Sequence, residues 1–454
     1  MFVLHTVFAY NTNMKRDIFV DLLEWKNNLA HKPLLLRGAR QVGKTFTVRD
    51  FAKTHFSNCV EINFELQPEL KKIFNTLDAT EIIGNLTLAL GVKIENGSTL
   101  IFFDEIQECP AAISALRYFY EQHPQLHVIG AGSLLEFTLA ATDFRMPVGR
   151  IEYLYLEPLS FGEFLLACGE GDLRQYLANL TLKLQIHEVV HTKLLHLFRN
   201  YLLVGGMPEV ITAYLAQPQA IEFQNTQLSL LQTYRDDFGK YASRARHGDL
   251  QNVFNTAAAL VGKIYKYTQV NPDKPSRDIK EALHLLTQAG VIHKVLATSA
   301  HGLPFIKDTN EKKFKILFLD VGLMQRSLGL HGQLAFSDDF LSIHSGSVAE
   351  QYVGQELMNL RNRREAPILY FWAREQKNSQ AEIDYLTAFE TTILPIEVKA
   401  GKTGRLKSLK LFLQENVSPF GIRFSQLPLS YHEQVLSIPI YAVSQMPTLV
   451  KELL

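Results

Sequence analysis

The stretch that decides the fold is GARQVGKT, at residues 38–45. It fits the pattern GxxxxGK[ST] and lies between an apolar run at residues 34–36 (LLL) and a predicted helix over residues 45–54. A strand, a glycine-rich loop and a helix in this order let backbone N–H groups close around phosphates. We therefore expect a phosphate-binding loop made of Gly38, Ala39, Arg40, Gln41, Val42, Gly43, Lys44 and Thr45.

Two side chains at the end of this loop have expected roles with a bound nucleotide. Lys44 would reach the β- and γ-phosphates, and the Thr45 hydroxyl would be a ligand of Mg²⁺. The N-terminus of the following helix adds a dipole that favours negative charge. The loop therefore predicts a nucleotide site with magnesium.

A second motif agrees with the first. Residues 100–105 read LIFFDE, an apolar strand that ends in two carboxylates. Asp104 would hold Mg²⁺ directly or through water, and Glu105 is placed to polarise the attacking water. An exposed strand end is the alternative, but the motif's distance from a phosphate-binding loop favours a hydrolytic site.

Three further residues are candidates for sensing or stabilising the γ-phosphate. Ser133 follows the predicted strand at residues 127–130, where a polar side chain would reach the phosphate. Arg145 and Arg150 come next, and either would act as an arginine finger on a neighbouring subunit. The alternative for both arginines is an ordinary surface position.

Apolar runs alternate with helical stretches in the first part of the chain, which predicts a parallel sheet covered on both faces. The expected strands cover residues 34–36, 59–64, 99–103 and 127–130. From residue 157 to residue 240 the pattern is mostly helical. From residue 249 to residue 328 the order is helix, helix, strand, strand, as in a winged helix.

The helix expected at residues 277–288, with Ser276 as its N-cap, would be the recognition helix of such a winged helix. This helix does not present a strongly basic face, so a role in packing is the alternative to DNA binding. The remainder of the chain is again α/β, with a helix at residues 348–361. Its expected strands cover residues 368–372, 381–388 and 393–400.

The last region contains a pattern of acidic residues and a lysine. Asp384 lies in the strand EIDYL, and Glu397 and Lys399 lie in the strand IEVKA. Side chains alternate along a strand, so Glu397 and Lys399 share one face, and a hairpin would bring Asp384 beside them. The two carboxylates would bind Mg²⁺, with Glu350 as a further ligand and Lys399 acting on water or on developing charge.

A basic run follows, because Lys399, Lys402, Arg405 and Lys407 occur within residues 399–410 without an acidic residue. This run would hold a nucleic-acid backbone, or it is a solvated helix face. For the acidic pattern, three interpretations stay open: an intact nuclease site, a nuclease-like fold used only for binding, and coincidence.

The segments GARQVGKT, LIFFDEIQECP, GAGSLLEF, VGRIEYLYLEPLSFGEF and GGMPEV follow one another in the chain. Together they resemble the prokaryotic AAA+ ATPases that carry a C-terminal DUF4143 region. The resemblance implies ATP as the nucleotide, and it favours Arg150 over Arg145 as the arginine finger. The E…D…ExK pattern is similar to that of PD-(D/E)xK nucleases. The GGMP stretch is expected to be a turn between helices.

The expected fold is α/β, with four domains in sequence. They are an AAA+ P-loop NTPase core at residues 14–156, a helical lid at 157–245, a winged-helix-like domain at 246–335, and a restriction-endonuclease-like α/β domain at 336–454.

Composition adds only broad limits. The 46 basic and 46 acidic residues balance, so any basic surface must be local. The cysteines Cys59, Cys109 and Cys168 are far apart, which suits a reducing cytoplasm. No apolar run approaches the roughly 20 residues of a membrane span, so no membrane partner is expected. Residues 1–13 do not read as a secretory signal, and translation from Met14 is an alternative start.

The leading hypothesis is an ATP-hydrolysing AAA+ protein whose nuclease-like C-terminal domain acts on DNA. An arginine finger acting in trans would make the working form a homo-oligomer. The alternative is a nucleotide-dependent switch whose nuclease-like domain only binds a partner.

Overall fold

The computed structural model describes residues 14–139, 149–217, 222–241, 246–329, 345–374, 381–401 and 405–454. Its strands form two sheets, one of five strands and one of eight. No helix in these ranges is long and apolar enough to cross a membrane.

The first sheet is entirely parallel and has the order β2-β3-β4-β1-β5. Its strands are β1 (Leu34–Arg37), β2 (Asn58–Asn63), β3 (Thr99–Asp104), β4 (His127–Ala131) and β5 (Glu152–Tyr155). The expected parallel sheet and its first four strands are confirmed. Strand β5 was missed, because it is a short edge strand in which only Leu154 is buried.

Helices flank this sheet, and their ends follow local chemistry. The Asp78 side chain accepts hydrogen bonds from the backbone N–H groups of Thr80 and Glu81 and so begins α3, which ends at Gly91 in a left-handed conformation. The helices of this part are α1 (Phe19–Asn27), α2 (Lys44–His55), α3 (Ala79–Leu90), α4 (Pro110–Gln122) and α5 (Leu135–Leu139).

The region after β5 is helical, as expected. It begins with a capping box, in which Ser160 and Glu163 satisfy each other's backbone N–H groups. Its helices are α6 (Phe161–Ala167), α7 (Gly171–Ala178), α8 (Glu188–Val204), α9 (Pro208–Ala216), α10 (Glu222–Asp236), α11 (Phe238–Tyr241) and α12 (His247–Leu260).

The second sheet is mixed and has the order β12-β13-β11-β10-β9-β8-β6-β7. Three of its strands, β11 to β13, were not expected from the sequence. The strands are β6 (Ile292–Thr298), β7 (Thr309–Phe318), β8 (Leu369–Ala373), β9 (Glu382–Phe389), β10 (Thr392–Val398), β11 (Gly421–Ser425), β12 (Ser430–His432) and β13 (Val435–Pro439). The accompanying helices are α13 (Ser276–Gln288), α14 (Val321–Ser327), α15 (Ser345–Leu360), α16 (Lys407–Glu415) and α17 (Met446–Lys451).

The β6–β7 hairpin follows α12 and α13 in the expected order, but β6 also pairs in parallel with β8. Strands from both sides of residue 335, where a domain boundary was expected, therefore belong to one sheet. Ser276 is the first residue of α13 rather than its cap, since Pro275 occupies the N-cap position.

Helix α15 contacts the end of β7 and the start of α14 through buried polar side chains. The Gln351 amide accepts from the N–H of Phe318 and donates to its carbonyl. Gln355 accepts a hydrogen bond from the N–H of Val321 at the start of α14. The apolar residues of α15 belong to one continuous core, which also includes residues of the parallel sheet and of the C-terminal sheet.

Candidate functional site

The backbone of the phosphate-binding loop requires glycine at two positions. Gly38 has φ +143°, and a Cβ there would lie far inside contact distance of the Leu156 carbonyl oxygen. Gly43 has φ +95° and occupies the N-cap of α2. The loop therefore leads from β1 into the N-terminus of a twelve-residue helix, as phosphate binding requires.

Lys44 lies inside the loop and is buried. Its Nζ donates hydrogen bonds to the carbonyl oxygens of Gly38, at 2.9 Å, and Ala39, at 2.7 Å. Burial lowers the pKa of Lys44 to about 8, and the nearby Glu105 and Asp104 carboxylates offset part of that decrease. The ammonium is thus held where the phosphates of a nucleotide would lie.

Asp104 connects the loop to the end of β3. The Thr45 hydroxyl donates to its Oδ1 at 3.0 Å, and the Asn63 amide donates to its Oδ2 at 2.9 Å. Burial raises the pKa of Asp104, and these two hydrogen bonds lower it in part. Asn63 was not singled out from the sequence. The signal was its place at the end of β2, directly beside Asp104 in the parallel register.

Glu105 has φ +49°, an uncommon backbone conformation for a residue other than glycine. Its Oε2 accepts a hydrogen bond of 2.6 Å from the Gln107 amide. Strained backbone of this kind is common at active sites, where it aims a side chain. Gln107 fixes the Glu105 carboxylate and is a second residue that the sequence did not reveal.

Lys44, Thr45, Asp104 and Glu105 line a cavity of about 640 Å³. The cavity is also lined by Met14 and Arg16, which precede the first helix, and by Pro208, Glu209 and Thr212 from the first turns of α9. The GGMP stretch is therefore a turn between α8 and α9, as expected, and it also leads into a wall of the cavity.

Arg16 ties the start of the chain to the loop. Its side chain and that of Glu163 are each 4% exposed and form an ion pair at 3.1 Å. Its other nitrogens donate to the carbonyl oxygens of Val42, at 2.9 Å, and Glu157, at 2.6 Å. Because a buried guanidinium needs several acceptors, this network holds Arg16 against the loop.

A nucleoside triphosphate with Mg²⁺ fits the residues of this cavity. Lys44 and the loop N–H groups match phosphates, and the Thr45 hydroxyl and the Asp104 carboxylate are oxygen donors of the kind that Mg²⁺ prefers. Glu105 and Ser133 also line this cavity.

Arg150 does not line its own chain's cavity. Its Nε donates to Glu121 at 3.0 Å, its guanidinium lies 5.9 Å from the centre of the Tyr120 ring, and its side chain is 44% exposed. Arg117 shares the same Glu121 oxygen. Arg145 lies outside the described residues.

The helical region contacts the phosphate-binding loop at Arg40. The Arg40 guanidinium pairs with Asp237, and the Tyr234 hydroxyl donates to the Arg40 carbonyl oxygen at 2.6 Å. On the other side of the loop, Gly290 packs against Ala39. A movement of the loop would therefore change its contacts with both the helical region and the segment that follows α13.

The β9–β10 hairpin brings Asp384 beside Glu397. Its antiparallel register pairs Tyr385 with Ile396, and Asp384 and Glu397 are the next residues on the two strands. Asp384 Oδ2 accepts a hydrogen bond of 2.8 Å from the N–H of Val398. Lys399 Nζ lies 2.5 Å from Glu397 Oε1.

A lysine that the sequence reasoning missed lies among these carboxylates. Lys315 Nζ is 2.7 Å from Glu350 Oε1 and 3.6 Å from Asp384 Oδ1, and it also pairs with Glu382. Burial lowers the pKa of Lys315, but the three carboxylates outweigh it and raise the pKa overall. The sequence feature that could have indicated this residue is a lysine within the apolar run FKILFL.

The pKa values of two of these acidic residues are raised, whereas an ion pair at the surface lowers the pKa of a carboxylate. Burial raises the pKa of Glu350 to about 7, although Lys315 opposes the shift. Burial and the neighbouring Asp384 raise the pKa of Glu397 to about 7, although Lys399 opposes it.

The expected metal site of Glu350, Asp384 and Glu397 does not fit this arrangement. Among the described residues, no group of three or more His, Cys, Asp or Glu side chains is placed to hold a metal ion. Lys315 lies between the first two carboxylates instead. The Oε2 atom of Glu397 is buried without a partner, and its Oε1 atom pairs with Lys399.

Comparison with known families gives three matches along the chain. Residues 30–165 match an AAA domain (AAA_14), residues 195–334 match a domain of unknown function (DUF8612), and residues 345–441 match another (DUF4143). The middle match was not expected from the sequence. No curated protein matches the chain.

Several solved structures resemble the chain at low similarity. The Walker-type ATPase PABY2304 of Pyrococcus abyssi is 17% identical, with a TM-score of 0.44, 69% of this chain covered and 96% of the other. Aeropyrum pernix ORC2, in ADPNP–ADP complexes, is 12% identical, with a TM-score of 0.36 and coverages of 73% and 98%. The Thermotoga maritima RuvB Holliday junction branch migration motor is 16% identical, with a TM-score of 0.25 and coverages of 62% and 88%.

All three TM-scores lie below 0.5, so the assignment depends on the family matches and the motifs. An AAA domain covers the parallel sheet and its phosphate-binding loop, and a DUF4143 region covers α15 and most of the C-terminal sheet. The chain therefore contains an AAA domain and a C-terminal DUF4143 region, the combination that the sequence motifs resemble.

Proposed function

We propose that the chain binds ATP with Mg²⁺ and hydrolyses it between the phosphate-binding loop and the end of β3. The observation that carries this proposal is the 3.0 Å hydrogen bond from Thr45 to Asp104. It joins two motifs that are far apart in sequence at the point where a magnesium ion bridges phosphate and protein in P-loop enzymes.

The residues of the cavity divide the work of hydrolysis. Lys44 neutralises the phosphates, and Thr45 and Asp104 hold the ion, which supplies positive charge to the transferring phosphoryl group. Glu105, fixed by Gln107, orients the attacking water. Ser133 donates toward the γ-phosphate from the end of the neighbouring strand.

Glu105→Gln tests hydrolysis separately from binding. We expect ATP turnover to fall by about a hundredfold or more while a fluorescent ATP analogue still binds, because the amide keeps the shape but no longer polarises water. Lys44→Ala should lose binding as well. Turnover unchanged by Glu105→Gln would contradict the assignment, and Glu108→Gln, a nearby exposed glutamate, is the matched control.

We further propose that the C-terminal region contacts DNA through its basic edge. Support comes from Arg405, Lys407 and Lys410, which are all exposed at the start of α16 and follow Lys399 at the end of β10. Lys410 is paired with Glu433 at the surface. We therefore assign the contacts with the DNA backbone to Arg405 and Lys407. The winged-helix-like segment is a weaker candidate, because Arg246 pairs with Glu281 on the face of α13.

Fluorescence anisotropy with labelled DNA tests this contact. Arg405→Ala combined with Lys407→Ala should weaken binding and make it less dependent on salt by about two charges. Lys312→Ala combined with Lys313→Ala, which removes two lysines from β7, is the control. Equal affinity of both double variants for DNA would contradict the proposal and favour the alternative, a nucleotide-dependent switch that binds a different partner.

A further inference from the structure

Lys315 is the most deeply buried cation of the C-terminal cluster. Its side chain is 2% exposed, and it comes from β7, outside the stretch that matches DUF4143. Three carboxylates, those of Glu350, Glu382 and Asp384, converge on its ammonium group. These three carboxylates compensate the positive charge of the buried ammonium.

We propose that Lys315 takes the place of a divalent metal ion in this cluster, so that the C-terminal region works without a metal and does not cut DNA. Four carboxylate oxygens of the expected metal site already have protein partners, whereas Glu397 Oε2 is buried without one. Glu350 Oε1 and Asp384 Oδ1 face Lys315, Asp384 Oδ2 accepts from the N–H of Val398, and Glu397 Oε1 pairs with Lys399.

The charges give the physical reason. A divalent cation bound at Asp384 would lie close to the buried Lys315 ammonium, and like charges at such separations repel strongly in a medium of low dielectric constant. Removing Lys315 instead would leave three carboxylates pointing at one buried position, which is costly without a cation. The same three side chains would then form an oxygen donor set suited to a divalent ion.

The ammonium also has a positioning effect. By pairing with Glu350 on α15 and with Glu382 and Asp384 on β9, it fastens the β6–β7 hairpin to the C-terminal sheet and its covering helix. The region is thereby assembled as a fixed surface, in keeping with a role in binding a partner. This inference does not depend on ATP hydrolysis by the AAA domain.

The test is a Mn²⁺ titration of the full chain without nucleotide. The electron paramagnetic resonance signal of free Mn²⁺ is measured at each step. An Asp104→Asn background removes the ion site of the AAA domain. With Lys315 intact we expect no bound Mn²⁺, whereas Lys315→Ser should bind one ion and unfold at a higher temperature when Mn²⁺ is present. Adding Asp384→Asn should abolish that gain, and Lys312→Ser, on the exposed part of β7, should behave like the parent.

Two results would overturn the proposal. One is Mn²⁺ binding by the Lys315-containing chain that disappears on Glu397→Gln, together with cleavage of labelled DNA. The other is a folded Lys315→Ser chain that gains no Mn²⁺. A Lys315→Ser chain that folds only with Mn²⁺ supports the proposal, and if it folds under neither condition, the titration of the Lys315-containing chain decides.

Discussion

The carboxylate of Glu356 accepts a hydrogen bond of 2.8 Å from the backbone N–H of Phe161. This contact joins α15 of the DUF4143 region to the first turn of α6, directly after the AAA domain's edge strand. Burial raises the pKa of Glu356 to about 8, and the nearby Glu163 and Asp17 add to the shift while the Phe161 N–H opposes it. The two regions are therefore joined through a buried carboxyl group whose pKa is raised well above its ordinary value.

Glu356→Gln should change how stability depends on pH. The pKa of Glu356 is higher in the folded chain than in the unfolded chain, so the folded state holds the proton more tightly. Its ionisation therefore removes stability as the pH rises from about 4.5 to about 8, by roughly a few kcal/mol in total. Glutamine keeps the acceptor oxygen and does not ionise, so the variant should lose less stability over that range.

Urea unfolding followed by fluorescence at about pH 5 and about pH 8 measures the difference. Glu222→Gln, an exposed glutamate at the start of α10, is the control and should follow the parent protein. Parallel pH profiles for Glu356→Gln and the parent would show that Glu356 is not held protonated by its surroundings.

Asn63→Ala should raise the Mg²⁺ concentration needed for half-maximal ATP turnover. The Asn63 amide orients Asp104, and partners that orient a metal ligand typically contribute about tenfold to a hundredfold in metal affinity. Turnover at saturating Mg²⁺ should change much less, because Glu105 is untouched. Asn58→Ala, at the opposite end of β2, should leave the Mg²⁺ dependence unchanged, and an equal effect of the two changes would indicate a general loss of stability.

The nucleotide site was largely predictable because each of its motifs is contiguous. The loop at residues 38–45 and the LIFFDE strand each contain residues for which we propose a role in hydrolysis, and a parallel sheet places their ends together. Asn63 and Gln107 escaped notice because a lone polar residue has no spacing pattern. Arg16 escaped because its partner Glu163 is 147 residues away.

The C-terminal region was harder to predict because its decisive contact crosses segments. The hairpin that joins Asp384 to Glu397 is local, and the structure has it. The position of Lys315 depends on the pairing of β6 with β8, which are separated by about seventy residues and by α14 and α15. Strand pairing of this kind follows from tertiary packing rather than from local propensity, so the sequence pattern did not reveal that a lysine from β7 lies among the expected metal ligands.

Gly38→Ala should abolish ATP binding, because its Cβ would meet the Leu156 carbonyl and its φ of +143° is strained for any other residue. The loop would have to move away from β5, and the phosphate-facing N–H groups would move with it. Gly84→Ala is the matched control. Gly84 lies in α3 with open space around it, so alanine there should stabilise the protein by roughly 0.5–1 kcal/mol and leave binding intact. Calorimetric titration with ATP measures the first effect, and thermal unfolding measures the second.

Arg150→Ala should reduce ATP turnover by about a thousandfold if Arg150 is an arginine finger in trans. Arg150 is held by Glu121 outside its own cavity, and Arg117 shares that carboxylate, which makes Arg117→Ala the matched control with near-normal turnover expected. Turnover per chain in the parent protein should rise with protein concentration.

Mixing the Arg150→Ala and Glu105→Gln chains distinguishes a trans role from a structural one. One chain supplies an intact Glu105 and the other an intact Arg150, so a shared site forms between them and turnover should partly recover. No recovery on mixing, combined with turnover that is independent of protein concentration, would place all the hydrolytic residues within a single chain and leave Arg150 as a surface residue.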